Sequence, residues 1–329
     1  MLKNITIIGS GSWATALVKI FSESAINVSW LVRNQEQTDY ILSNSRNPRY
    51  LSYAELDLKY IQPTSDAQEA LANAELVIFA VPSAYLQNAV EAMEPEWLVN
   101  KQLAVSIKGF VPGTGLIPGV FLNKHFTLAS SVMVISGPCH AEEIAMKRNT
   151  YVTIAGEDKK WVKSISDGLT ANYIQTIASC DPVGVEYVAI LKNIIGIATG
   201  IASGLNYGDN FQAVLTSNAM REVKLFLEQV HPAKRDIFDS VYFGDLLVTA
   251  YSEYSRNRTL GKLVGRGLQV NKALQSMEMV AEGFYASKEL MPLLQQLTVE
   301  VPVITGVYRI LHQHANPFHE FKLIEKQLR

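Results

Sequence analysis

The first half of the chain alternates short apolar runs with segments whose apolar residues recur at helical spacing. The apolar runs predict seven buried strands, at Asn4–Ile8, Val28–Val32, Leu76–Ala80, Leu103–Ile107, Val132–Ile135, Tyr151–Ala155 and Tyr173–Ile177. The helical spacing predicts helices at Trp13–Ser24, Ser65–Ala72, Ala84–Met93, Ala141–Lys147 and Lys159–Leu169. Ser65 and Gln68 have capping-box spacing, which favours a helix start there. This alternation predicts an α/β fold with a mostly parallel sheet covered on both faces.

The strand pattern stops after about Asp181, and the remaining residues show only helical periodicity. Helices are predicted at Val183–Leu205, Gln212–Gln229, Gly244–Ser255, Val270–Leu290, Val301–Leu311 and Pro317–Gln327. The change predicts a domain boundary near residue 180, with an α/β domain over residues 1–180 and an all-helical domain over residues 181–329.

Lys192 is the only charged side chain between Tyr187 and Gly208. Burying an ammonium in so apolar a run is costly unless something pairs with it. The residue is therefore either a surface lysine on an amphipathic helix or a buried lysine with a function. The run is long enough to span a membrane, but it contains Lys192 and Asn193 and no second candidate span accompanies it. We expect a buried helix in a soluble, cytoplasmic protein.

Glycines recur every four residues next to Lys192, at Gly196, Gly200, Gly204 and Gly208. This spacing places at least the first three on one helical face. Each glycine inside a helix costs about 1 kcal/mol relative to alanine. The pattern predicts that another helix crosses this face closely.

Composition and charge exclude several classes of function. Apolar residues make up 48% of the 329 residues, so a substantial core is expected. The net charge of -2 argues against a surface for nucleic acid or anionic membrane. Cys139 and Cys180 lie far apart without a disulfide or metal-ligand pattern, so no metal is expected.

The segment Gly9–Ala14 reads Gly-Ser-Gly-Ser-Trp-Ala, directly after the first predicted strand and at the start of a helix. This matches the dinucleotide-binding fingerprint, with alanine in the third small position. The glycines allow a tight turn and close approach of a pyrophosphate to the helix N-terminus. A tight turn without a ligand is the alternative.

Arg33 follows the second predicted strand, where NAD-specific sites often have Asp or Glu bonded to the ribose. A guanidinium suits a 2′-phosphate instead, so NADPH is favoured. Glu36 is close enough in sequence to keep NADH possible. A solvated charge at a strand end is the alternative interpretation of Arg33.

Three further segments carry candidate ligand groups. Lys108 follows a strand, where open α/β sheets hold ligands, although a Lys-Gly pair is more often a plain turn. Asp245 offers a single carboxylate in an apolar setting. Ser255, Arg256 and Asn257 form a good phosphate-binding set, because a guanidinium makes bidentate bonds and the others add neutral donors. A solvated loop is the alternative for this last segment.

Together these segments resemble bacterial NAD(P)-dependent glycerol-3-phosphate dehydrogenases. The matching stretches, in family order, are Gly9–Trp13, Asn47–Leu51, Ser106–Gly109, Ser136–Pro138, Leu191–Ile194, Gly204–Asn210, Gly244–Leu246, Ser255–Arg258 and Glu282–Gly283. The resemblance implies a Rossmann-type dinucleotide-binding domain followed by a helical substrate-binding domain. It also implies interconversion of dihydroxyacetone phosphate and sn-glycerol 3-phosphate with NADPH or NADH, which supplies glycerophospholipid synthesis.

The resemblance implies a role for each matching residue. Lys192 is implied as the general acid/base and as a substrate contact, Lys108 as a second active-site lysine that contacts substrate and cofactor, and Asp245 as the aspartate of the same site. The other implied substrate contacts are Gly137, Ser255, Arg256 and Asn257. The fingerprint and the resemblance together indicate cofactor contacts at Gly9, Gly11, Ser12, Trp13, Arg33, Lys108, Ala141, Arg256, Val280 and Glu282.

The chain departs from the family pattern at Cys139 and His140, which stand where the family has Ser-Phe. A thiol replaces a hydroxyl there, and a thiol is the weaker hydrogen-bonding group. The substitution puts any substrate contact through that side chain in doubt.

Two other classes of function stay open: an enzyme acting on a non-phosphorylated β-hydroxyacid, and a non-enzymatic NAD(P)H sensor. The phosphate-binding set argues against the first. The joint presence of Lys108, Lys192, Asp245 and Arg256 argues against the second. We expect a phosphorylated small-molecule substrate, no nucleic-acid partner, no membrane span and a homodimer.

Overall fold

The structure is a computed structural model that describes residues 2–127, 129, 131–277 and 280–329. The backbone forms two compact units. The first comprises the chain up to Ile107 together with Leu116–Pro182, and the second comprises Lys108–Gly115 and Val183–Arg329. The short Lys108–Gly115 segment thus belongs to the second unit, although the sequence pattern places it in the first domain.

Within the described residues, eight strands form one sheet in the first unit, in the order β3-β2-β1-β4-β5-β6-β7-β8. The strands are β1 Asn4–Ile8, β2 Asn27–Leu31, β3 Ile61–Thr64, β4 Leu76–Phe79, β5 Gln102–Val105, β6 Met133–Ser136, β7 Thr150–Ala155 and β8 Ile174–Ser179. Neighbouring strands run parallel except β6 and β7, which are antiparallel. The predicted α/β fold with a mostly parallel sheet is confirmed.

Strand β3 is absent from the sequence prediction because proline interrupts its pattern. Pro63 pairs with Trp30 of β2, and β3 is the edge strand of the sheet. Proline has no N–H to donate to a ladder, so sheets tolerate it at an edge.

The first unit contains seven α-helices among its described residues: α1 Ser12–Glu23, α2 Gln35–Asn44, α3 Ala67–Leu71, α4 Leu86–Glu91, α5 Pro118–His125, α6 Ala141–Ala145 and α7 Lys159–Gly168. Helices α2 and α5 are not predicted by the sequence pattern. The predicted capping box at Ser65 and Gln68 is wrong. The Asp66 carboxylate accepts the Glu69 N–H at 2.9 Å, so Asp66 caps α3.

The regular structure of the second unit is helical, as predicted. Its helices are α8 Pro182–Gly204, α9 Asp209–Val230, α10 Asp245–Tyr251, α11 Arg256–Gly265, α12 Val270–Gln275, α13 Glu282–Glu289, α14 Met291–Leu294, α15 Pro302–His312 and α16 Pro317–Glu325. A π-helical turn at Ser240–Gly244 leads into α10. The predicted single helix Val270–Leu290 is wrong: α12 ends at Gln275 and α13 begins at Glu282, with residues 278–279 outside the described part.

Helix α8 forms the core of the second unit. By length and composition it could cross a membrane, but 94% of its most apolar stretch is buried inside the chain. Helix α11 crosses it closely, as the glycine spacing predicts. A Cβ atom built on Gly200 would collide with the Arg258 carbonyl oxygen, and one built on Gly204 would lie 2.5 Å from the Lys262 carbonyl oxygen. Gly208 takes no part in this crossing, because it caps α9 and a Cβ there would meet open space.

Candidate active site

The loop between β1 and α1 requires glycine at its first position. Gly9 has a φ of +128°, and a Cβ atom there would lie 2.5 Å from the Ala80 carbonyl oxygen. The Trp30 indole N–H donates to the Gly9 carbonyl at 2.7 Å, which fixes the turn from the neighbouring strand. Both the backbone conformation and the close packing therefore exclude a side chain at Gly9.

Gly11 is the last residue of this loop and the N-cap of α1. No side chain caps the helix, and no atom lies within 4 Å of a Cβ built on Gly11. The N–H groups of the first turn, which begins with Ser12 and Trp13, are thus left without a side-chain cap. A helix N-terminus of this kind binds phosphate, so the loop fits the pyrophosphate of a dinucleotide.

Asn47 holds the dinucleotide loop in shape from a separate segment. Its side chain is fully buried, and its amide donates to the Ser10 carbonyl at 3.0 Å and to the Thr15 hydroxyl at 2.8 Å. Its carbonyl oxygen accepts the main-chain N–H groups of Arg49 and Tyr50 at 3.0 and 3.1 Å. Asn47 lies in a stretch that matches the family, but no role follows for it from the sequence, because nothing local links it to the loop.

Other predicted cofactor residues lie at the carboxyl ends of the strands. The Trp13 indole donates to Ser106 at 2.6 Å, and the Ser106 hydroxyl donates to the Ile135 carbonyl at 2.5 Å. Arg33 is exposed beyond the end of β2, next to the cap of α2. Glu36 is exposed in the first turn of that helix. Both side chains are accessible at the edge where the 2′ group of a dinucleotide is bound in this fold.

The segment after β6 turns at Gly137 and enters α6 at Ala141. Gly137 has a φ of +130°, and a Cβ there would lie 3.0 Å from the Tyr151 carbonyl oxygen. The Cys139 side chain is buried, and its thiol donates to the Gly137 carbonyl at 3.1 Å. His140 occupies the N-cap of α6 without a side-chain cap bond. The thiol of Cys139 is therefore engaged in closing the turn.

Lys192 is buried in α8 and paired with a carboxylate. Its side chain is only 5% exposed, and it forms a hydrogen-bonded ion pair with Oδ1 of Asp245, which is fully buried. The alternative of a surface lysine is wrong. Asp245 begins α10 directly after the π-helical turn, in a continuous helical stretch.

Lys108 approaches the other oxygen of the same carboxylate. Its Nζ lies 3.9 Å from Oδ2 of Asp245, and its side chain is 23% exposed. Oδ2 has no hydrogen-bond partner among the described residues. One carboxylate is thus shared by two lysine side chains, each of which can carry a positive charge. Such a site attracts an anionic substrate and stabilises a developing negative charge.

A relay of amides adjoins this pair of lysines. The Asn193 amide donates to the Lys108 carbonyl at 2.8 Å, and the Asn257 amide donates to Oδ1 of Asn193 at 2.9 Å. Oδ1 of Asn257 accepts the Gly283 N–H at 2.9 Å. Gly283 must be glycine, because a Cβ there would lie 2.5 Å from the Asn193 carbonyl oxygen. Asn193 and Gly283 both lie in stretches that match the family, but the sequence assigns neither a role, because each bonds to residues far away in the chain.

The candidate phosphate set lies at a helix N-terminus rather than in a loop. Ser255 caps α11, where its hydroxyl accepts the Arg258 N–H at 3.3 Å, and Arg256 and Asn257 are the first two residues of that helix. Val280 is exposed, and Glu282 begins α13 next to Gly283. The solvated-loop alternative is wrong, and the helix adds main-chain N–H donors to the guanidinium.

The predicted residues fall into two groups. One lies at the carboxyl edge of the sheet in the first unit: Gly9, Gly11, Ser12, Trp13, Arg33, Gly137 and Ala141. The other lies in the second unit: Lys108, Lys192, Asp245, Ser255, Arg256, Asn257, Val280 and Glu282. Among the described residues, no group of three His, Cys, Asp or Glu side chains could hold a metal ion.

A dinucleotide cradle on a parallel sheet, combined with a buried lysine–aspartate pair in a helical unit, is typical of dinucleotide-dependent dehydrogenases. Family models identify the particular class: residues 4–162 match the N-terminus of NAD-dependent glycerol-3-phosphate dehydrogenase, and residues 181–322 match its C-terminus. The chain belongs to the NAD-dependent glycerol-3-phosphate dehydrogenase family.

Individual relatives agree with the family models. The chain is 31% identical over 315 residues to glycerol-3-phosphate dehydrogenase [NAD(P)+] of Staphylococcus aureus, covering 95% of each chain. A crystal structure of glycerol-3-phosphate dehydrogenase from Coxiella burnetii matches with a TM-score of 0.92 at 26% identity, covering 98% of each chain. The enzyme from Plasmodium falciparum shares the fold, with a TM-score of 0.87 at 22% identity over 98% of this chain and 94% of its own.

Proposed function

We propose that Lys192 and Lys108 provide the proton transfer and charge stabilisation of a glycerol-3-phosphate dehydrogenase. As a member of that family, the chain is an oxidoreductase that interconverts dihydroxyacetone phosphate and sn-glycerol 3-phosphate with NAD(P)H. Its product supplies glycerophospholipid synthesis. The observation that carries the assignment of residues is the buried Lys192 ammonium, paired with the fully buried Asp245 carboxylate.

The nicotinamide cofactor supplies or accepts the hydride when it is bound. The residues that would hold it are Gly9, Gly11, Ser12 and Trp13, with Arg33, Lys108, Ala141, Arg256, Val280 and Glu282. The first-turn N–H groups of α1 support this, because they bind a pyrophosphate without a competing side-chain cap. Arg33 supports a preference for NADPH, since a guanidinium pairs with a 2′-phosphate. NADH stays possible because the exposed Glu36 lies nearby in sequence.

The two lysines act on the oxygen at the reacting carbon. Lys192 donates a proton to that oxygen as the ketone is reduced, and takes it back in the reverse direction. Asp245 holds the ammonium of Lys192 in place through their hydrogen bond. Lys108 adds a second positive charge beside the same carboxylate, which favours the negative charge that develops on the substrate oxygen.

The substrate phosphate would bind at the start of α11. The guanidinium of Arg256 gives bidentate bonds, while Ser255, Asn257 and the main-chain N–H groups add neutral donors. Gly137, in the turn after β6 of the first unit, is a further proposed substrate residue. The buried thiol of Cys139 already donates to the Gly137 carbonyl, so we assign it a role in the turn and no direct role in substrate binding.

We also propose that the chain acts in the cytoplasm as a homodimer without a membrane span. The burial of α8 supports the absence of a span, since the one helix among the described residues that is both long and apolar enough to cross a membrane is 94% buried over its most apolar stretch. Equilibrium sedimentation of the purified protein tests the dimer, and a mass equal to one chain would overturn it.

Assays with substrate analogues test the proposed reaction. The purified protein is mixed with NADPH and dihydroxyacetone phosphate, and turnover is followed as loss of the NADPH absorbance. We expect competitive inhibition by inorganic phosphate and little turnover of hydroxyacetone, which lacks the phosphate anchor. Efficient oxidation of a non-phosphorylated β-hydroxyacid with NADP+, followed as a gain of NADPH absorbance, would instead establish the competing enzyme class. Absence of turnover with NADPH binding intact would establish a sensor.

A further inference from the structure

We propose that Asn193 is a positioning residue that holds Lys108 beside Asp245 by binding its main chain. The inference rests on the proposed role of Lys108 in the reaction. Asn193 directly follows Lys192 in α8. Consecutive residues of one helix would therefore serve the two lysines: Lys192 is itself paired with Asp245, and Asn193 fixes the backbone from which Lys108 reaches the same carboxylate.

The contact between Lys108 and Asp245 needs such support. At 3.9 Å it is a charge contact, longer than a hydrogen bond, and Lys108 is more exposed than Lys192. The position of the Lys108 main chain limits where its ammonium group can reach. The Lys108–Gly115 segment packs with the second unit, in part through an edge contact of Phe110 with the Tyr187 ring. The hydrogen bond from Asn193 acts at Lys108 itself.

The orientation of the Asn193 amide follows from backbone chemistry at both ends of the relay. The Gly283 N–H can only donate, so Asn257 must present its oxygen to Gly283 and its nitrogen to Asn193. Asn193 must then present its oxygen to Asn257 and its nitrogen to the Lys108 carbonyl, which can only accept.

An asparagine at position 193 can accept the bond from Asn257 and donate a bond to the Lys108 carbonyl. No acidic or apolar residue of similar size can do both. Asn193 and Asn257 are 6% and 8% exposed, so water offers little replacement for a lost bond. A buried polar group left without its partner is costly, which favours displacement of the Lys108 backbone over an unmade bond.

The substitution Asn193→Asp keeps the shape and the acceptor for Asn257 but points an oxygen at the Lys108 carbonyl. We expect the repulsion to move Lys108 and to lower kcat on the order of 10- to 100-fold, because a misplacement of about 1 Å can cost about 10²-fold. The KM for dihydroxyacetone phosphate should change much less. Asn218→Asp is the matched control, since Asn218 is also a buried amide that donates to main-chain carbonyls and lies outside the proposed site.

A double-mutant cycle with Lys108→Ala separates positioning from general damage. If Asn193 acts through Lys108, Asn193→Asp should lower kcat far less in the Lys108→Ala background than in the wild type. Equal fold-losses in both backgrounds, or an unchanged kcat in Asn193→Asp alone, would overturn the inference. If Asn193→Asp fails to fold, the same double-mutant cycle is measured with Asn193→Ala, which removes both hydrogen bonds without adding a charge. An unchanged kcat in Lys108→Ala would instead refute the proposed function of Lys108.

Discussion

Replacing Lys192 by methionine separates its role in catalysis from its role in stability. The substitution Lys192→Met keeps an unbranched apolar side chain, one atom shorter, and removes the ammonium. Two consequences follow from the structure. The proposed general acid is lost, and the carboxylate of Asp245, which is fully buried, loses its hydrogen-bonded partner.

Each consequence has its own magnitude. Removal of a general acid typically costs about 10²- to 10⁴-fold in rate, so kcat should fall by at least about 10²-fold. Breaking a buried ion pair by removing one partner typically costs about 3–5 kcal/mol. Lys108 still lies 3.9 Å from the other oxygen of Asp245 and compensates part of the charge, so we expect about 3 kcal/mol. For a domain of about 150–250 residues this lowers Tm by about 6–12 °C.

The assay compares Lys192→Met with the double variant Lys192→Met/Asp245→Leu. Replacing both partners of a buried pair by apolar residues is often neutral or stabilising. The double variant should therefore recover most of the lost Tm while kcat stays low. Turnover is followed through the NADPH absorbance, Tm by circular dichroism, and NADPH binding by titration, which should stay close to the wild-type affinity in both variants.

Two results would refute this reasoning. Turnover of Lys192→Met near the wild-type rate would show that Lys192 is not the general acid. A double variant as unstable as the single one would show that the destabilisation does not come from an unpaired Asp245 carboxylate. Because turnover and Tm are measured separately, the role of Lys192 in catalysis and its role in stability can each be refuted without the other.

Three further substitutions test the fold and the cofactor site. Gly200→Leu should lower Tm by more than 10 °C and reduce activity, because a side chain there collides with the Arg258 carbonyl in α11; unchanged Tm would disprove the tight crossing. Burial raises the pKa of Glu222, whose carboxylate accepts two N–H groups at the start of α15, to about 8. The folded state then binds the proton more tightly than the unfolded state, so stability should fall as pH rises from about 5 to 8, by at most about 1.4 kcal/mol per pH unit. Urea unfolding should show a flatter profile for Glu222→Gln, and parallel profiles would contradict the assignment. Arg33→Asp should shift the ratio of kcat/KM for NADPH to kcat/KM for NADH toward NADH by about 10-fold or more, since a charge-assisted bond is worth about 1.5–3 kcal/mol. An unchanged ratio would show that Arg33 does not bind the 2′-phosphate.

The dinucleotide loop could be predicted from the sequence because its determinants are local. Two glycines at fixed spacing between an apolar strand and a helix are enough to predict the turn at Gly9 and the open position at Gly11. Asn47 could not be predicted in the same way. Its contacts with Ser10 and Thr15 span more than thirty positions, and a polar residue before a proline looks like an ordinary loop residue in the sequence.

The surroundings of Lys192 could be predicted only in part. The apolar run around it requires a compensating charge if the side chain is buried, and the family resemblance places Asp245 in the same site, but the residues alone do not show that these two side chains form an ion pair. Asp245 lies 53 positions away, after a π-helical turn that leaves no recognisable periodicity. Helix α11 was missed for a related reason: its first turn is rich in polar and charged residues, so the residues from Ser255 to Arg258 have the composition of a loop.

The glycine face of α8 connects the fold to the chemistry. Gly200 and Gly204 let α11 cross α8 closely, and Gly196 continues the same face toward Lys192 by one further turn. A Cβ on Gly196 would lie 3.3 Å from Cβ of Asn257 and 3.6 Å from the Ser255 hydroxyl. The spacing of small residues thus sets how near the proposed phosphate set comes to the proposed general acid. Since each glycine inside a helix costs about 1 kcal/mol, the close packing of α8 and α11 must offset that cost, and the same packing brings Ser255 and Asn257 to the face of α8 that carries Gly196.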